Sequence, residues 1–127
     1  MRSTKLFLTF LIPLLAIFFF SSLPAQQKTE AKKITFKGEV LDLACYIAGG
    51  KKGVEHKKCA DMCIKGGAPI GILTEDGKAY LIVENHSKPE PYEKLKNYAA
   101  EKVTVTGVLY QRGGLPGIVI ESVEPSK

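Results

Sequence analysis

The chain has 127 residues, with 18 Lys plus Arg against 13 Asp plus Glu and a formal net charge of +5. That length holds one small domain and no more. The excess falls to about +3 without Arg2 and Lys5 of the N-terminal segment, and so mild an excess argues for solubility and against a nucleic-acid partner.

The N-terminus reads as an address. Arg2 and Lys5 precede an almost wholly apolar run from Leu6 to Phe20, and Ser21-Ser22-Leu23-Pro24-Ala25 follows as a cleavage region. This is the layout of a secretory signal peptide over 1–25. The apolar run of 15 residues falls short of the about 20 that a membrane span needs. No cysteine adjoins the cut, which argues against a lipoprotein anchor, and an uncleaved N-terminal anchor is the alternative. Cleavage leaves 102 of the 127 residues and lowers Lys plus Arg from 18 to 16, so the mature chain stands at about +3. The expected product is exported, to the periplasm or the extracellular space, with no stable membrane span. Residues 26–33 (QQKTEAKK) are a polar tether ahead of the domain.

Ile34 to Tyr46 (ITFKGEVLDLACY) alternates with a phase change at Gly38, which predicts a bent, bulged strand. Three glycines make 48–54 a loop, and Glu55 to Lys65 reads as a helix of about three turns closed by Gly66-Gly67. Pro69 to Thr74 and Ala79 to Glu84 are strands joined at Asp76-Gly77, a hairpin turn. Asn85 to Pro91 is loop, and Tyr92 to Ala100 is helical. Lys102 to Gln111 alternates, with Gly107 a second bulge candidate, and Leu115 to Val123 closes the chain after Arg112-Gly113-Gly114. Five short strands with one or two short helices predict a mainly β domain over 34–125, a five-stranded Greek-key barrel.

Those strands, KGEVLD near the start and KVTVTGVLYQRGGLPGIVIESVEP at the end, resemble exported bacterial domains of the oligonucleotide/oligosaccharide-binding (OB) type. The CY…HxxCAxxC stretch inserted at 45–67 resembles a subset of small exported bacterial proteins. The resemblance implies the OB-like barrel and names no activity.

All three cysteines lie in that insertion with one of the two histidines. On a helix His56, Cys59 and Cys63 fall at i, i+3 and i+7, one stripe, with Cys45 upstream at the end of the strand. Three sulfurs and an imidazole suit zinc, and thiolates also hold Cu(I). Met62 is a nearby thioether that points off the stripe. We therefore read Cys45, His56, Cys59 and Cys63 as metal ligands. Export favours disulfides, but an odd number of cysteines leaves one thiol over. One alternative is a disulfide from Cys45 to Cys59 or Cys63 that staples an interaction module. Another is a thiol redox protein in which His56 and Lys51, Lys52, Lys57 and Lys58 favour a Cys59 thiolate and Cys63 resolves it. The plainer reading of those lysines is a solvated face. Asp42 reads as an outward strand carboxylate, with a hydrogen bond from His56 as the alternative. His86 is a solvated loop residue, and the tyrosines close the barrel.

No phosphate-cradling loop or Ser-His-Asp pattern is present, so the chain is read as non-enzymatic, in a structural or metal-handling role in the cell envelope. Its partners would be a metal ion and another envelope protein. Export is testable by intact mass: the mature protein should begin near Gln26, and a full-length chain in a membrane fraction would favour the anchor.

Overall fold

In the computed structural model, residues 31–126 are described. The expected signal peptide and most of the tether lie outside the described residues. Five strands form a closed barrel: β1 (Lys32–Asp42), β2 (Ile70–Thr74), β3 (Ala79–Val83), β4 (Lys102–Arg112) and β5 (Leu115–Pro125), in the order β1-β2-β3-β5-β4. The helices are α1 (Leu43–Gly49), α2 (Lys57–Lys65) and α3 (Glu90–Leu95), with 3-10 turns at Val54–His56 and Lys96–Tyr98.

Both expected hairpins are antiparallel, β2 with β3 and β4 with β5, while β3 and β5 pair in parallel through Leu81↔Gly117. This is the OB-like arrangement. The long β1 serves two neighbours, its first part pairing with β4 and its last part with β2, and Gly38 faces Val103 on one side and Thr74 on the other. A Cβ on Gly38 would lie 2.5 Å from the Leu73 carbonyl oxygen, so the glycine is there for close approach. The expected bulge at Gly38 is replaced by this unbroken double pairing. The one at Gly107 is present: the register jumps between Thr106↔Ser122 and Gly107↔Ile120, leaving Glu121 as the extra residue.

Three elements differ from the sequence reading, and one is the helix expected from Glu55, which begins at Lys57 after the 3-10 turn that holds His56. The strand expected to run to Tyr46 ends at Asp42, and α1 takes its last residues and the first two, Ala48 and Gly49, of the expected 48–54 loop. The physical reason is the Asp42 carboxylate, whose Oδ1 accepts from the Ala44 N–H at 2.9 Å and the Cys45 N–H at 3.4 Å. That cap satisfies orphan donors of a first helical turn, and a strand offers it no such use. Gly50, at φ 64, ends the helix in the left-handed conformation. The helix expected over Tyr92 to Ala100 instead begins at Glu90, with Pro91 in its first turn, and tightens into the second 3-10 turn.

The core holds Val40, Ile70, Ile72, Val103, Val105, Ile118 and Ile120 from the strands. Ala60 and Ile64, at i and i+4 of α2, and Leu95 of α3 plug it from outside the sheet. Phe36 and Tyr80 meet with ring centroids 5.4 Å apart, and Tyr80, Tyr92 and Tyr98 pack against the core.

The close approaches make a stability test. An alanine Cβ at position 107 would lie 2.5 Å from the Val119 carbonyl oxygen, so Gly107→Ala should destabilise by about 1–3 kcal/mol in urea unfolding. Gly49→Ala, where only the Lys51 side chain comes within 4 Å, should stay within about 1 kcal/mol of wild type.

Candidate metal centre

The packing of α2 places two of the sulfurs. Ala60 and Ile64 are the buried stripe, and Cys59 and Cys63 each precede one of them, so the thiols line the flank of the helix where core meets solvent. Cys45 arrives from the first turn of α1, which Asp42 fixes by its cap. Between them the chain is drawn back over the end of β1, because Glu39 Oε1 accepts the N–H of Gly53. This brings His56, in the 3-10 turn just ahead of α2, against the same strand end.

The three sulfurs converge. Cys45, Cys59 and Cys63 have their Sγ atoms within 4.8 Å of one another, half-buried and as free thiols. A second group, Asp42, Cys45 and His56, has its ligand atoms within the same 4.8 Å, and Cys45 belongs to both. Either arrangement can hold a metal ion. His56 Nε2 lies 4.0 Å from Asp42 Oδ2, with the two side chains 14% and 0% exposed. Oδ2 and Nε2 are buried, and neither has a hydrogen-bond partner.

Asp42 is therefore no outward strand carboxylate. It is 1% exposed, and among the candidate residues it is the one that the sequence reading placed on the solvent side of the sheet. The signal that marks it is its position immediately before a helix, as a capping residue. Burial alone would raise its pKa, yet hydrogen bonds from the Cys45 thiol and backbone, the Cys63 thiol and the Ala44 backbone hold it below the usual value. Neither thiol meets Oδ2 itself in hydrogen-bond geometry. The Cys45 thiol is pushed from 9.0 to about 12, first by its hydrogen bond to Asp42, then by burial and by the charges of Asp42 and the other two cysteines. Burial, followed by the same carboxylate and Cys59, raises Cys63 as well. Without a cation, the proton stays on sulfur and the charge on Asp42.

The remaining sequence candidates sit apart. His86 is exposed in its loop, and Met62 is 60% exposed. Lys51, Lys52, Lys57 and Lys58 are all exposed, as a solvated face would be, and Lys57 pairs with Glu101 at 2.5 Å. The chain matches no protein-family model, no curated protein and no solved structure.

The thiol chemistry gives a direct measurement on metal-free protein. Because the folded state favours the protonated Cys45, that contribution to stability is present below about pH 9.0 and is lost as pH rises toward about 12. Only the thiolate alkylates, so at pH 8 Cys45 should react at least about 100-fold more slowly in the folded than in the unfolded chain. Mass-resolved labelling reads the rate at each cysteine.

Proposed function

We propose that the protein is an exported, non-enzymatic metal-binding domain of the cell envelope. It holds a zinc or copper ion with Cys45, Cys59 and Cys63, and His56 is the fourth ligand. The observation that carries this reading is the meeting of three free sulfurs, from two separate helices, within 4.8 Å. Bound zinc needs sulfurs about 2.3 Å and nitrogen about 2.0–2.1 Å away, which places ligand atoms about 4 Å or less apart. The trio needs to close by less than about 1 Å, an adjustment within reach of side-chain rotation. Three thiolates and one imidazole satisfy tetrahedral zinc, and the same sulfurs suit Cu(I) in a three-coordinate site. The signal-peptide layout supports export, and metal binding resolves why an exported chain carries an odd number of cysteines.

The thiol redox alternative asks for a lowered thiol pKa. Its resolving thiol, Cys63, is pushed the other way by burial and by the Asp42 carboxylate.

Elemental analysis of anaerobically purified protein, with thiol counting before and after chelation, tests the proposal. The expected result is about one zinc or copper per chain, with thiols that become countable only when the metal is stripped. Metal at about 1,000 times its Kd should stabilise the fold by about 4 kcal/mol, and Cys63→Ser should abolish that gain while leaving the chelated protein little changed. A metal-free protein with three countable thiols sinks the metal reading, and one that cycles a Cys59–Cys63 disulfide establishes the redox alternative.

A further inference from the structure

The geometry points to Asp42 as the positioning residue of the metal centre: its Oδ2 accepts the Nε2–H of His56, so that His56 ligates through Nδ1. This inference rests on the metal reading above and adds to it the atom that binds and the group that aims it.

Two buried polar atoms in the described residues have no hydrogen-bond partner, Asp42 Oδ2 and His56 Nε2, and they face each other at 4.0 Å. Buried polar atoms are seldom left unmatched, and each such case asks for a partner. A donor and an acceptor that are both orphaned, and about 1 Å beyond hydrogen-bond range, supply one another when the ring moves by that amount. The imidazole has two nitrogens, and in the neutral ring one carries the proton while the other offers a lone pair. A hydrogen bond from Nε2–H to the carboxylate leaves the lone pair on Nδ1, the state a metal needs.

Asp42 is held in place for this task. Its other oxygen, Oδ1, is committed to the Ala44 and Cys45 backbone N–H groups at the start of α1. One carboxylate thus fixes the helical turn that carries Cys45 and faces the ring of His56. Direct ligation by Asp42 is the competing use of Oδ2. It is disfavoured because three thiolates and an imidazole already complete a tetrahedron, and a fourth anion would put four negative charges around one dication in a half-buried site.

The test uses the full protein with Zn(II) alone. Asparagine keeps a capping oxygen, since Asn and Asp are equivalent N-caps, but its amide nitrogen donates where Oδ2 accepts, which favours the wrong tautomer of His56. Asp42→Asn should weaken zinc, measured by competition with a chromophoric chelator, by about 10–100-fold. The thermal midpoint of the metal-free variant should stay near wild type. In a His56→Ala background the same substitution should change zinc affinity less than twofold, an outcome that a merely structural role for Asp42 does not produce. Nitrogen-15 NMR of the zinc-loaded wild type needs no variant and should show His56 metallated at Nδ1 and protonated at Nε2. Metal at Nε2, a carboxylate in the zinc coordination sphere, or unchanged affinity in Asp42→Asn overturns the inference and leaves the metal reading standing. A wild-type protein that takes up no zinc overturns both.

Discussion

Asp42 ends the first barrel strand, opens the first helix and faces the histidine of the insertion, and it does so from a buried position. An ionised carboxylate out of water costs several kcal/mol unless its lone pairs are met. Backbone N–H donors and two neighbouring thiols meet much of that need, which is why burial does not win and the group stays acidic. Every feature of the insertion inherits this arrangement. The cap sets the direction of α1, α1 sets Cys45, and the same carboxylate fixes the proton on that sulfur.

The barrel contributes rigidity on the opposite side. Ala60 and Ile64 anchor α2 in a core of branched aliphatic side chains, so Cys59 and Cys63 are held by residues next to them in sequence. The sulfurs therefore ride on a packed helix, and Glu39 of β1 ties the glycine-rich connection between the helices to the sheet. Precision at a metal site depends on such supporting structure as much as on the ligands.

Much of this was legible in the residues. Strict alternation marked β4, Asp76-Gly77 marked the β2–β3 turn, and the lone glycine inside an alternating strand marked the Gly107 bulge. The spacing of Cys59 and Cys63 placed both on one helical face. The first helix was not legible from periodicity, because LDLACYIA is apolar enough to pass for more strand and too short to show a helical repeat. Its true markers were chemical, an aspartate at the start and Gly50 at the end. For the same reason, Asp42 was assigned the solvent side of a strand that had already stopped. The stripe reading placed His56 on the helix, whereas it sits in the 3-10 turn before α2 and turns toward Asp42.

The topology also sets an order of events. The barrel closes only when Lys32 meets Leu109 and Leu81 meets Gly117, pairings between distant parts of the chain. Residues 42–63 carry all the candidate ligands within a short, contiguous piece. Loop-closure entropy rises with the length of chain enclosed, and long-range strand pairing is the slow part of folding. A cation that binds these residues would therefore have only this short piece to gather before the sheet is complete, ahead of the packing of Ala60 and Ile64 that fixes Cys59 and Cys63. An ion captured at that stage would cinch the excursion between β1 and β2 and bring those two strands into register while the C-terminal hairpin was still searching for its place.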